Sequence, residues 1–259
     1  MLSWNVAGRV RSVGEQAAAL AGRPADVVAL QEVRASARAA WRDALAGLGL
    51  VHQHYSEPPP AGTAERRLGV LLAARTPLEP LPGPAGLPWP ERYAAARAGG
   101  LEVHALHAPI SAKAEQVKVL TLEAVVAALA RPAGPSGPAV LVGDFNTPAY
   151  ESREGEVRSF ARTRAGTLRD GYDERHDAAE LGIVPGLARE GGWVDAFRAV
   201  HGYGARDRSW MYANLAFGYR LDHVLVRGVE VEACAYVHAW REAGLSDHSA
   251  VWAGVRFPA

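Results

Sequence analysis

Only one cysteine, Cys234, occurs in 259 residues, so no disulfide can close within the chain and no cage of cysteines alone can hold a metal. The lone thiol fits a reducing compartment, and in its apolar segment it reads as packing. Lysine is nearly missing too, with two against 26 arginines. Spread evenly beside so much alanine, that excess reads as coding bias more than as phosphate recognition. Formal net charge is +0, so no global field announces a polyanionic partner, although a local basic groove stays open. Long apolar runs are absent: the longest helical one, Ala124 to Ala130, is far too short to span a bilayer, and no basic, apolar leader follows Met1. The expectation is a cytoplasmic monomer with no membrane partner. At 49% hydrophobic content the chain can bury a substantial core, and no composition break argues against a single domain over residues 1–259.

What is present centres on Ala139 to Pro148, AVLVGDFNTP. A β-branched run stops at Gly143, and Asp144 and Asn146 then project two residues apart before Pro148 forbids further strand. Asp, Asn and Gly are also ordinary turn residues, so this stretch alone does not choose between a turn and a site. Other strand ends repeat the format. Leu2 to Val6 delivers Asn5 near its carboxyl end, Asp26 to Glu32 runs out into Glu32, and Leu101 to His107 ends in His107 before Pro109. Open α/β sheets place ligand groups at such carboxyl ends.

Between these strands the periodicity predicts helices over Ser12 to Ala21, from Ser36 to about Ala46 with Ala40, Ala44 and Leu48 at four-residue spacing and Trp41 and Leu45 beside them, and from a Ser111 cap through Ala130 with a stripe that includes Val117, Leu120, Ala124 and Ala128. Val51 to Tyr55 and Leu68 to Ala74 read as strands; His52 and His54 share a face of the first, without an acid or cysteine to complete a metal set. Thr76 to Pro90 reads as loop, and Pro132 to Pro138 as a connector. Residues 150–192 are an arginine-rich polar insertion, either a solvated excursion or a substrate-contacting loop. Beyond it, Trp193 to Val200 reads as a helix and Ser209 to Ala213 as a strand. Tyr219 to Val226 is a strand that puts Asp222 on an otherwise apolar face, where a buried acid needs a partner. Asp247 and His248, opening the last strand, offer one: an Asp-paired imidazole is oriented and kept charged.

Asn5, Glu32, His107, Asp144, Asn146, Asp222, Asp247 and His248 thus fall at strand termini along the whole chain. Carboxylates with amide oxygens and no thiolate suit Mg²⁺ or Mn²⁺ over Zn²⁺. A cationic histidine beside them is the donor that a phosphoryl oxygen requires.

The segments LSWNVAG, VVALQEV, LHAPIS, VLVGDFNTP, YRLDHVLV and LSDHSAVW, in this order, resemble the endonuclease/exonuclease/phosphatase superfamily, the group of deoxyribonuclease I and exonuclease III. The resemblance implies a four-layer α/β sandwich, two mixed β-sheets face to face with helices outside. It implies Glu32 as principal metal ligand with Asn5 and Asp247 close to the ion, and Asp144 orienting or deprotonating the attacking water with Asn146 fixing its geometry. Asp222 would pair with His248, which donates to a phosphate oxygen. His107 resembles the second histidine of the deoxyribonuclease I and phosphodiesterase branches, whereas exonuclease III relatives carry a tyrosine there. The C-terminal third, including Trp210 and Arg220-Leu221-Asp222, is nonetheless similar to exonuclease III. The expected activity is Mg²⁺-dependent (or Mn²⁺-dependent) phosphodiester hydrolysis by in-line water attack, with DNA the leading substrate and Trp210 and Arg220 as candidate substrate contacts; Trp210 reads equally well as core. A phosphatase or phosphodiesterase for a small or lipid phosphate ester is the second reading. A non-catalytic scaffold ranks below both, because no expected acid or histidine is missing.

Overall fold

The computed structural model describes residues 1–60, 63–110, 116–130, 137–212 and 216–257. Ser111, most of the 132–138 connector and Ala213 lie outside them.

In the first half of the chain the strands are β1 (Leu2–Asn5), β2 (Val27–Arg34), β3 (His52–Ser56), β4 (Leu68–Ala74), β5 (Leu78–Pro80), β6 (Tyr93–Ala98) and β7 (Leu101–His107), with helices α1 (Val13–Ala21) and α2 (Arg38–Gly47) between them. The helix α3 (Val117–Leu129) leads to β8 (Ala139–Asp144) and a hairpin of β9 (Tyr150–Glu151) and β10 (Val157–Arg158). Then follow α4 (Glu174–Leu181), α5 (Leu187–Glu190), β11 (Val194–Asp195), α6 (Ala196–His201) and a second hairpin of β12 (Trp210–Met211) and β13 (Gly218–Tyr219). The chain ends in β14 (Asp222–Arg227), β15 (Glu230–Val237), α7 (His238–Glu242) and β16 (Ala250–Arg256).

These strands build two six-stranded sheets, ordered β15-β16-β1-β2-β4-β3 and β11-β14-β8-β7-β6-β5. Each is mixed, with a single parallel pair, β1 with β2 and β7 with β8, among antiparallel neighbours. Period-two alternation gives each strand one face for the other sheet, and those faces form the central core, where Ala29, Leu72, Val103, Val142, Val224 and Val251 meet. The outer face of the first sheet packs on α1 and α2 through Leu20, Trp41 and Leu45. The outer face of the second packs on α3 and α4 through Leu122, Val125 and Ala179. The result is the expected four-layer sandwich.

Several local expectations shift. On α2 the buried residues are Trp41 and Leu45 of the expected face, with Ala37 just ahead of the helix, and Ser36 lies in a 3-10 turn and makes no cap. On α3 the buried residues are Lys118, Val119, Thr121, Leu122, Val125 and Leu129, while Leu120 faces solvent. That helix is apolar nearly all round, so spacing cannot choose its inner face and the sheet beneath decides. The Trp193 to Val200 segment begins as β11 before turning helical, and the proline-rich loop contains β5. Two strands, β6 and β15, lie in stretches left unassigned above. Gly143, the last residue but one of β8, has φ 134°, and a Cβ there would meet Leu106 O at 1.9 Å, so only glycine lets β7 approach.

Candidate active site

The carboxyl ends of β1, β2, β7 and β8 and the start of β14 come together at one end of the sandwich. In the second sheet, His107, Asp144 and Asp222 stand in one cross-strand row. Asn5 joins the first sheet to that row: its Nδ2 donates to Glu32 Oε1 at 3.1 Å and to Asp144 Oδ2 at 3.0 Å. Ala7 N–H donates to Asn5 Oδ1 at 2.9 Å, which fixes the amide with its nitrogen toward the acids. Asn5 is thereby a bridge between two carboxylates, and its oxygen faces Ala7 and not Glu32.

Glu32 sits where β2 breaks register with β4 between Leu30 and Val33, at φ 60°. A left-handed conformation in a non-glycine residue costs on the order of 1–3 kcal/mol, and the bulge that imposes it turns the carboxylate out of the sheet toward the cluster. Asn146, also left-handed at φ 51°, donates its backbone N–H to Asp144 Oδ1 at 2.9 Å and its Nδ2 to Ala108 O at 2.7 Å. The Asp144 carboxylate is therefore held at both oxygens.

His248 Nδ1 donates to Asp222 Oδ2 at 2.8 Å, and its Nε2 faces Asp144 Oδ2 at 3.7 Å. Burial alone would lower the pKa of this imidazole, but Asp222 and Asp144 outweigh it and raise the value to about 10. His248 is thus an imidazolium with both nitrogens protonated. Asp144 is also raised, but by burial itself, which pushes it up to about 7, with His248 opposing the rise and Asp222 adding to it. His107 is held well below its ordinary value by burial, then by Arg92 and His248. Its Nε2 lies 3.5 Å from Glu32 Oε1 and 3.9 Å from Asp144 Oδ2. A neutral ring has one acceptor nitrogen, and Nδ1 can take a guanidinium N–H of Arg92, whose Nη1 lies against it.

The surrounding shell fixes this geometry. Ser246 Oγ donates to Asn5 O at 2.6 Å, and the buried indole of Trp4 donates to His248 O at 3.1 Å, tying the last loop to β1. Ser209 Oγ accepts from the backbone N–H groups of Leu221 and Asp222 at 2.9 and 3.0 Å. Tyr236 donates to Asp222 O at 2.6 Å. Asp247 is exposed, and its Oδ2 accepts the Trp210 indole N–H at 3.1 Å. Trp210 is half-buried and stacks on Tyr219 with ring planes 10° apart, so it is a wall of the site and not core.

Arg220 is turned away from the cluster. Its guanidinium makes a bidentate pair with Glu151 at 2.7 and 2.8 Å and reaches Asp195 at 2.7 Å, while Arg198 grips the same Glu151. With Nε and Nη2 directed at two buried acids, Arg220 braces the insertion hairpin against β11 and α6. Arg92 and Ser209 went unnoticed in the sequence. Arg92 lies in a 3-10 turn after the proline-rich loop, and nothing local distinguishes it from other loop arginines.

Asp144, Asp222 and His248 offer three ligand atoms within 4.8 Å of one another. While His248 is an imidazolium it has no lone pair for a cation, which leaves the two carboxylates as the trio's donors. The oxygen donors left facing outward are the partly open carboxylate of Glu32 and the exposed one of Asp247. With no thiolate near, they fit a hard divalent cation, which would also offset three acids set against one imidazolium.

A site that pairs acids with a cationic histidine at one end of a double-sheet sandwich defines a phosphoester-hydrolase class, and the sequence agrees. The profile of the Endonuclease/Exonuclease/phosphatase family matches residues 2–248, and the chain belongs to that family, which is typically dependent on divalent metal. No curated protein matches it. Among solved structures, an AP endonuclease from Archaeoglobus fulgidus superposes with TM-score 0.73 at 20% identity, covering 100% of this chain and 98% of that one. An endonuclease/exonuclease/phosphatase from Beutenbergia cavernae gives TM-score 0.71 at 18% identity over 100% of this chain and 71% of that one. A Neisseria 3′ phosphatase bound to a product DNA hairpin gives TM-score 0.69 at 23% identity, over 99% and 98%. Among the described residues no helix is long and apolar enough to cross a membrane.

Proposed function

We propose that this chain is a Mg²⁺-dependent phosphodiesterase that hydrolyses DNA by in-line attack of water, acting as a cytoplasmic monomer. One observation carries the reading: an imidazolium, His248, faces a buried acid, Asp144, across 3.7 Å, with the acid's pKa at about 7. An acid poised near neutral pH is suited to take a proton from water. The imidazolium is suited to neutralise a non-bridging phosphate oxygen as charge builds on it. Asn146 and Asn5 hold the two Asp144 oxygens so that the accepting lone pair keeps its direction. Asp222 orients His248 and keeps it charged. His107, uncharged and backed by Arg92, is suited to donate a neutral hydrogen bond beside Glu32. A divalent ion held by Glu32 and Asp247 would supply Lewis-acid stabilisation of the phosphoryl group. The likeness to a 3′ phosphatase in complex with DNA supports a nucleic-acid substrate. The same likeness favours the second reading, removal of a phosphate monoester.

The test is hydrolysis in Mg²⁺ of abasic duplex, plain single and double strands, RNA and an aryl phosphate, by wild type, Asp144→Ala and His248→Ala. Each variant should lose about three orders of magnitude or more in kcat/KM on the true substrate. Retention of activity by both would remove these residues from their roles.

A further inference from the structure

A cavity of ≈ 610 Å³ adjoins the site without being part of it. Pro148, two residues past Asn146, forms one edge, and Gly218 to Arg220, just ahead of Asp222, form another. Its walls hold six arginines against two acids, Glu151 and Asp207. Both acids are engaged: Glu151 by Arg198 and Arg220, Asp207 by His238 Nε2 at 3.0 Å. Four guanidiniums remain, Arg158, Arg164, Arg206 and Arg208, with no carboxylate partner among the described residues. Three are anchored by one backbone carbonyl each: Arg158 to Arg164 O at 2.9 Å, Arg206 to Glu151 O at 2.5 Å, Arg208 to Ala216 O at 2.9 Å. A guanidinium has five N–H donors, so each anchored group keeps most of its capacity for an anion.

Four like charges around one cavity in a chain of net charge +0 repel one another until an anion enters. Aromatic rings alternate with them. Arg158 lies over Tyr150 at 4.9 Å and Arg208 over Phe217 at 5.6 Å, and both rings are exposed. The second hairpin links cavity to site: Phe217 meets Tyr219 edge-on at 5.1 Å, and Tyr219 stacks on the Trp210 that holds Asp247. Guanidiniums for phosphates interleaved with rings for bases is the chemistry of a nucleic-acid strand.

We infer that this cavity is a second phosphate site, which takes a backbone phosphate next to the one being hydrolysed and so selects a polynucleotide over a monoester. The inference rests on the function proposed above, and it assigns substrate selection to Arg158, Arg164, Arg206 and Arg208.

The test measures binding in metal-free buffer of single strands carrying one neutral methylphosphonate linkage, walked along the sequence, to wild type and to the Arg164→Gln/Arg206→Gln double variant. Parallel strands with and without a terminal phosphate separate an internal phosphate from an end group. For wild type, one internal linkage should cost about tenfold in affinity when neutral. The variant should show that loss on the all-phosphate strand and no more at that linkage, and its slope of log K against log salt should be shallower by about 1.4, at about 0.7 per contact. An unchanged slope, an equal cost of the neutral linkage in both proteins, or dependence on the terminal phosphate alone would overturn the inference. Wild-type cleavage without this coupling defeats the second site only; coupling without any hydrolysis in Mg²⁺ defeats the proposed function only.

Discussion

Two buried polar clusters lie a few residues apart in this chain, and they differ in how charge is balanced. In the first, Glu151 and Asp195 are met by Arg198 and Arg220 at 2.7 Å contacts. Burial alone would raise both acids; Arg220 and its neighbours outweigh it, holding Glu151 at about 2 and Asp195 below the ordinary carboxylate range. In the second, Asp144 and Asp222 share one imidazolium while Glu32 faces only the uncharged His107, and burial leaves Asp144 at about 7. A cluster with its charges complete behaves as a brace. One with an acid in excess stays ready to accept a proton or a cation, and pays for that readiness in stability.

The largest test of this contrast is Asp144→Asn. Removing an under-compensated acid should lower kcat/KM by about three orders of magnitude or more, while the melting temperature stays at or above that of wild type. A large drop in melting temperature would make Asp144 a brace after all. Arg220→Met should do the opposite: two buried acids lose their main partner, and urea unfolding should report a loss of about 3–5 kcal/mol. A loss below about 1 kcal/mol would erase the distinction between the clusters.

Acid offers a third comparison. The Glu151 pKa is depressed in the folded state, from an ordinary 4.5 to about 2, so the unfolded chain binds the extra proton first. Its contribution, about 3 kcal/mol by linkage, is fully present above pH 4.5 and lost as pH falls toward 2. Urea midpoints from pH 5 to pH 2.5 should fall in wild type, and the gap to Glu151→Gln should shrink across that window. The smallest effect is expected for Trp210→Phe, which keeps the ring stack and removes the bond to Asp247; a loss of about 1 kcal/mol, a few-fold in kcat/KM, is the expected size.

Much of the acid and histidine cluster was legible because its members lie at the ends of strands whose signal is local. Leu2 to Val6 alternates apolar and polar residues, and Val27 to Leu30 and Ala139 to Val142 are apolar runs that stop at Gln31 and Gly143. The partner of Asp222 was legible too, since an acid on an apolar strand face must be answered. The ion pairing of Arg220 was not legible, because it depends on Glu151, 69 residues away. The strand β6, Tyr-Ala-Ala-Ala-Arg-Ala, carries no strand propensity of its own and exists because β5 and β7 pair with both its edges.

Sequence alone therefore settled the order of the strands that carry the site and the chemical kind of its donors, because alternation, turn residues and side-chain type are properties of neighbouring positions; the layer architecture came with the family resemblance. Tertiary structure decided the inner face of α3, the outward turn of Glu32 at its bulge, the placing of Arg92 on His107 and the charge left over in each cluster. Those depend on distances between residues far apart in the chain, and burial converts such distances into shifted protonation only after the sheets have closed on one another.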